Sequence, residues 1–365
     1  MRRSVAVILM VGMILSLIAG CGGENGMQFS GPTHIVVDAL GREVELPVKI
    51  DRIVPLGNTP RMITYLGLAD KVVGYSGMDL DAVTPLTAYA YANKERWKDV
   101  SIVGTDSGGN TDYYPEQIIA ARPDVILCSY TEDIVNDLEA KTGIPVIAVG
   151  MGTLFADDYD EALRILGKSC GVEDRAEAVI AFIDSCLADL DERTAHIPEM
   201  QKPTVLSAAA TFKGIRGIEG VRLQDPVLDA IHGNNIAAGT GGASAATVDR
   251  EQILAWNPDY IFCDYSGVGL VKEDEKSDPA FYSQLTAYGQ GQIYQHPSSN
   301  SYYSNLEISL LNCYFIGMTL YPAEFADVNF EKKAGEIFGF LLGCENYLAQ
   351  LEDYGAYYGR IDFGA

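Results

Sequence analysis

The chain has 365 residues, with 26 Lys plus Arg against 50 Asp plus Glu, and so a net charge of −24. A surface this acidic repels phosphate backbones and excludes general nucleic-acid binding, although a basic patch can still sit inside a cleft. Hydrophobic residues make up 48% of the chain, enough for two domains of ordinary size, each with its own core.

The first residues, Met1-Arg2-Arg3, precede an apolar run from Val5 to Ala19. A short basic region before such a run reads as a secretory signal rather than a spanning helix. The run ends Leu17-Ile18-Ala19-Gly20-Cys21. Small residues before a cysteine resemble the bacterial lipobox, which implies cleavage before Cys21 and a lipid on its sulfur. Residues 1–20 are then the signal, and residues 21–32 a lipidated, flexible leash holding the protein at the outer face of the cytoplasmic membrane.

Two alternating runs in His34–Leu46 flank Leu40-Gly41 and read as a hairpin. A strand over Arg52–Leu56 stops at Gly57-Asn58-Thr59-Pro60, and a helix is expected over Arg61–Leu68. Lys71–Tyr75 is the next strand. Residues 116–130 then read EQIIAARPDVILCSY, and residues 251–265 read EQILAWNPDYIFCDY, with nine identities in fifteen positions. A repeat at this distance implies two similar structural units. Each copy reads as a helix, a Pro-Asp turn and a strand. After the first copy come a helix over Glu132–Thr142 and a strand over Pro145–Val149. Strands alternating with helices predict parallel sheets with helices on their faces.

From Tyr159 to Thr194 the pattern is helical, interrupted at Gly171. The part from Glu173 to Thr194 lies between the repeat copies and is expected to join the two units. A strand over Pro203–Ala208, a helix over Asp225–Ile231, a late strand over Gln292–Tyr294 and closing helices over Glu307–Leu320 and Glu331–Leu342 follow. The organisation expected is an α/β chain of two Rossmann-like lobes: an N-terminal lobe over residues 33–158, a helical joint over 159–198, a C-terminal lobe over 199–345, and a tyrosine-rich tail over 346–365.

The segments DALGREVELPVKIDRIVPLG, LGLADKVVGYS, EQIIAARPDVIL, VDREQILAWNPDYIF, SDPAFYSQLTA and GQIYQHP, in that order, resemble the substrate-binding proteins of ABC importers for iron–siderophores, haem and vitamin B12. The resemblance covers roughly residues 33–345. It implies two lobes joined by one rigid helix, a ligand held between them with limited closure, and an ABC permease with its ATPase as partners. It also implies that Glu116 and Glu251 meet permease arginines. The bland reading of those glutamates is an acidic first-turn residue favoured by the helix dipole.

Ligands of two-lobed α/β proteins meet the loops at the carboxyl ends of strands. That rule picks Asn58, Thr59, Arg61, Tyr75 and Tyr130 in the first lobe. In the second it picks Lys213, Arg216, Tyr265, Tyr302 and Tyr303. Arginine suits the carboxylates of a chelate. Tyrosine suits a flat ring face or ferric iron. With only four histidines (His34, His196, His232 and His296), bound bare metal is disfavoured; the cargo that the resemblance implies is an iron or cobalt chelate, carried by a monomer without a resident cofactor.

Cys128 and Cys263 occupy matching strand positions and read as buried thiols. Cys170, Cys186, Cys313 and Cys344 show no metal-site spacing. No His-Glu-x-x-His or P-loop is present, so an enzyme is not expected. A lipid-anchored sensor, or an enzyme on the same fold, is the alternative.

Overall fold

A computed structural model describes residues 31–77, 79–107, 110–212, 214–241, 243–301 and 303–364. The signal segment, Cys21, Lys213 and Tyr302 lie outside the described residues. The chain opens with the antiparallel hairpin β1 (Thr33–Val37) and β2 (Glu43–Pro47). Strand β3 (Ile53–Leu56) leads into α1 (Thr59–Tyr65), which begins earlier than expected because Pro60 supplies a preset first-turn φ. Strand β4 covers only Gly74–Ser76. Val72 makes a single bridge to Ile53 before the chain crosses over to pair with a different strand.

Short helices α2 (Ala88–Ala92) and α3 (Lys94–Trp97) precede β5 (Ser101–Ser107) and β6 (Asn110–Tyr113), an antiparallel pair unmarked in the sequence pattern. The first repeat copy forms α4 (Pro115–Ala121) and β7 (Val125–Cys128). Helix α5 (Glu132–Thr142), strand β8 (Val146–Ala148) and helix α6 (Asp157–Cys170) complete this half. Strands β3, β7 and β8 form a parallel sheet in that order.

Helix α7 spans Glu173–Thr194, 22 residues and about 33 Å at the standard rise. The C-terminal lobe then contains β9 (Thr204–Ala208), β10 (Gly220–Arg222), the short α8 (Pro226–Asp229), β11 (Asn234–Asn235) and β12 (Ala245–Thr247). The second repeat copy forms α9 (Arg250–Trp256) and β13 (Tyr260–Asp264), followed by α10 (Tyr265–Ser277), α11 (Pro279–Tyr282), α12 (Thr286–Gly289) and β14 (Ile293–His296). A small hairpin, β15 (Asn300–Ser301) and β16 (Tyr303–Ser304), precedes α13 (Leu306–Leu320) and α14 (Phe330–Leu342). The tail adds α15 (Tyr347–Asp353) and an edge strand β17 (Gly359–Arg360) that pairs antiparallel with β14. The C-terminal sheet runs β11-β9-β13-β14-β17.

The repeat copies match in secondary structure through Cys128 and Cys263, after which β13 runs one residue further than β7. Each helix ends on a left-handed residue, Arg122 or Asn257. Each then uses its aspartate to fasten the neighbouring strand. Asp124 Oδ2 accepts the backbone N–H groups of Asp51 and Arg52 at 2.8 and 2.9 Å. Asp259 Oδ2 accepts from the N–H and hydroxyl of Thr204, both at 2.8 Å.

Side-chain alternation sends the strands' two faces into different cores. Ile126 and Cys128 enter a cluster belonging to the first lobe alone. Ile261 and Cys263 enter one belonging to the second. Val125, Leu127 and Phe262 face a third and larger core, which also takes in α6, α7, α13 and α14. The two lobes therefore share one hydrophobic interior across their interface. Cys128 and Cys263 are wholly buried, and burial pushes the Cys263 thiol up to about 12.

Candidate functional site: the inter-lobe cleft

The carboxyl ends of β3, β7, β9, β13 and β14 carry the candidate loops, and the segments after β3 and β14 meet between the lobes. In the first lobe these loops are tightly pinned. Gly57 has φ +67°, and a Cβ there would lie 2.5 Å from Ser129 Oγ and 3.0 Å from the Tyr130 ring. Only glycine fits that turn. Asn58 donates its backbone N–H to Ser129 Oγ at 2.9 Å and its amide to the Met151 carbonyl at 2.8 Å. The Thr59 hydroxyl lies 2.9 Å from the carbonyls of Leu56 and Leu127. Thr59 is thus a brace of the strand–helix junction.

Tyr75 is buried with its ring centroid 5.1 Å from that of Trp97. Tyr130 is buried against Gly57. Arg61 is completely buried rather than open to a cleft. Its Nε donates to Asn305 Oδ1 at 3.1 Å, and its guanidinium carbon lies 4.7 Å from the Tyr89 ring and 5.8 Å from the Tyr303 ring.

The second lobe brings a looser set. Arg216 is half-buried, with its guanidinium 5.4 Å from the Phe212 ring. Its Nε and the Thr211 hydroxyl are buried with no hydrogen-bond partner among the described residues. The loop carrying them lies directly on Gly267, where any side chain would strike the Arg216 carbonyl. Tyr265, the repeat partner of Tyr130, points elsewhere: its hydroxyl donates to the Tyr354 carbonyl at 3.1 Å, fastening the tail. Tyr303 sits on the β15–β16 hairpin beside Arg61.

Beneath these loops the second lobe holds a polar cluster that the sequence pattern did not single out. Asp264, at the end of β13, accepts from the Ser298 hydroxyl and from the Ser266 N–H, the latter at 3.1 Å, and lies 3.7 Å from Arg222. Asp225 accepts from Ser207 at 2.5 Å. Burial holds His296, which faces Asp264, below its ordinary pKa. Asn305 and Glu307 were also missed. Glu307 is the only charge in the fifteen residues of α13, and a lone carboxylate in so apolar a helix was the available signal.

Glu116 and Glu251 are each the second residue of their helix and are exposed. Neither has a hydrogen-bond or ion-pair partner among the described residues. Arg250 beside Glu251 is taken by Asp274 and Asp278. Both helices start at the cleft end of their sheets. Tyr113, just before α4, pairs with Gly104, which lies beside Ser76 at the carboxyl end of β4. Thr247, just before α9, pairs with Gly220, whose carbonyl accepts from Ala210 immediately beyond β9. Each carboxylate thus stands at the carboxyl-end side of its own lobe's sheet.

A model of the family described as periplasmic binding protein matches residues 60–299, well over half the chain. The chain belongs to that family. Among curated proteins it is 26% identical over 291 residues to YvrC of Bacillus subtilis, an uncharacterized ABC transporter substrate-binding lipoprotein, covering 76% of this chain and 85% of that one. Among solved structures it is similar to the molybdate periplasmic binding protein MolA of Haemophilus influenzae, with a TM-score of 0.66 at 17% identity over 85% of this chain and 98% of that one. It is also similar to a nickel–histidine complex of CeuE from Helicobacter pylori, with a TM-score of 0.61 at 17% identity over 88% of this chain and 99% of that one. At these identities the structural likeness establishes the shared fold: α/β lobes with parallel sheets and a long helix. No helix of the described residues is long and apolar enough to cross a membrane.

Proposed function

We propose that this substrate-binding protein, tethered outside the membrane through Cys21, captures a metal chelate between its lobes and presents it to an ABC permease and its ATPase. The observation that carries the reading is the matched pair Glu116 and Glu251. They are exposed, lack cationic partners among the described residues, and open matching helices at the carboxyl-end sides of their two sheets. Two separated carboxylates suit two basic sites on a membrane partner, fixing orientation and encounter rate more than affinity. YvrC, itself a transporter lipoprotein by name, supports the anchoring and the partner.

The proposed cargo is a ferric siderophore, haem or a corrinoid such as cobalamin. Arg216 and Thr211 offer unsatisfied polar atoms to an acceptor-rich ligand, while Phe212 and Tyr303 supply ring faces. No group of three His, Cys, Asp or Glu side chains among the described residues is arranged to hold a metal ion, so the ligand's own donors would carry the metal. In this reading the protein is a binder and carrier, in keeping with its family.

A thermal-shift screen of ferric siderophores, haem, cobalamin and molybdate tests the cargo class. The right ligand at a hundredfold excess over its dissociation constant adds roughly 2.7 kcal/mol. A shift with molybdate alone, or with no chelate, overturns the chelate assignment. The double variant Glu116→Lys/Glu251→Lys tests delivery: uptake by cells should fall at least tenfold while ligand affinity stays within a factor of two. Undiminished uptake would refute the docking role.

A further inference from the structure

The shared core between the lobes is apolar along most of its depth, but at its cleft end the chain has buried polar and charged groups instead. Arg61, Tyr65, Asn305 and Glu307 have no solvent exposure. Arg61 and Tyr65 come from α1 of the first lobe. Asn305 and Glu307 come from the start of α13 in the second.

The bonds run back and forth across the interface. Arg61 Nε donates to Asn305 Oδ1 at 3.1 Å, and Nη2 donates to the Tyr303 carbonyl at 3.2 Å. The Asn305 amide donates in return to the Leu86 carbonyl of the first lobe at 2.8 Å. The Tyr65 hydroxyl donates to Glu307, and Tyr347 donates to the Pro85 carbonyl at 2.8 Å. The rings of Tyr89 from one lobe and Tyr303 from the other flank the same guanidinium.

A guanidinium stripped of water is tolerated only while its donors are satisfied. A hinge that parted the lobes at this point would remove acceptors from Arg61 and from the Asn305 amide in the same motion. Small separations therefore carry a steep cost, whereas the apolar core below tolerates sliding. Asn305 is the joint of the arrangement, because its oxygen accepts from one lobe's side chain while its nitrogen reaches that lobe's backbone.

We propose that Arg61 and Asn305 form an inter-lobe lock that fixes the spacing of the cleft walls, and with it the spacing of Glu116 and Glu251. They are positioning residues: they set where Arg216 and the β15–β16 hairpin stand relative to the first lobe. The consequence for delivery rests on the function proposed above, but the lock itself is a property of the ligand-free protein and is testable without any ligand.

The experiment places one spin label at Gln117 and one at Gln252, exposed neighbours of the two glutamates. The labels are attached through a ketone-bearing unnatural residue so that the native cysteines are left alone. Pulsed EPR then reads the inter-lobe distance in the full mature chain without ligand. The native protein should give one narrow distribution, and Asn305→Ala should at least double its width or shift its centre. Arg61→Lys keeps the charge but loses the planar fork. It should broaden the distribution by a smaller amount, and it serves as the decisive variant if Asn305→Ala does not fold. Cys128→Ala, in the core private to the first lobe, is the control and should keep the native width despite lower stability. A native width in folded Arg61→Lys, or broadening of the Cys128→Ala control equal to that of the lock variants, overturns the proposal. Neither result bears on ligand capture, so a failed lock and a failed functional reading remain distinguishable.

Discussion

The two repeat copies share a scaffold and differ in what they place at its upper end. Aligning the ladders pairs β3 with β9, β7 with β13 and β8 with β14. Gly57 then corresponds to Ala209, and both are left-handed, at φ 67° and 55°. Pro55 corresponds to Ser207, Ser129 to Asp264, and Val149 to His296. The first lobe thus finishes its strands with small or apolar groups and a closed set of backbone hydrogen bonds. The second finishes them with a buried acid, a buried imidazole and hydroxyls. Equal scaffolds thus carry unequal strand ends, polar and charged in one lobe and largely apolar in the other.

The sharpest way to break the comparison is at the left-handed pair. Gly57→Ala combines a left-handed cost of about 1–2 kcal/mol with a collision against Ser129, so a loss of roughly 3 kcal/mol is expected in urea unfolding. Ala209→Gly relieves the same strain in the other lobe and should be neutral or stabilising by up to about 1 kcal/mol. If both changes destabilise equally, the two turns are not equivalent.

The aspartate pair should behave alike instead. Asp124→Ala and Asp259→Ala each remove two hydrogen bonds to the start of a neighbouring strand, and each should cost about 2 kcal/mol. A difference of more than about 1 kcal/mol between them would show that one lobe relies on the repeat less than the other.

A smaller effect separates the lobes from their interface. Burial holds the Glu307 carboxyl above its ordinary value of 4.5, against the opposing pull of the Tyr65 hydroxyl and Arg61. A raised folded value means that the stabilising contribution is complete below about pH 4.5 and is lost as pH rises through the folded pKa. Glu307→Gln should therefore flatten the decline in melting temperature above that pH and melt higher than the native protein at pH 8. Parallel pH profiles for the two proteins would contradict this. The least perturbing check is thiol labelling of the native fold. Cys344, partly exposed, should react first, with the buried Cys128 and Cys263 protected to a similar degree.

Much of this scaffold was legible in the chain. Helix α5 and the joining helix α7 fall on the residues their periodicity and flanking turns indicated, because a helix is specified by contacts four residues apart. The repeat placed α4 and α9 in register, and it paired Cys128 with Cys263 in equivalent cores. The β5–β6 pair, the polar cluster around Asp264 and the edge strand β17 were not legible. Each depends on a partner chosen by the packed sheet rather than by local pattern.

The candidate cleft residues divide along the same line. Choosing the carboxyl ends of strands picked out loops, yet not which side chains those loops would leave open. Tyr130 and Tyr265 are the same letter of the repeat, but one packs against a glycine turn and the other fastens the tail. By itself the sequence determined the doubled α/β scaffold, its helical joint and its paired exposed glutamates, since these arise from short-range periodicity and an internal repeat. Only the tertiary structure decided that Arg61 is sealed against Asn305, some 244 positions away, because that meeting depends on how two lobes close over one shared core.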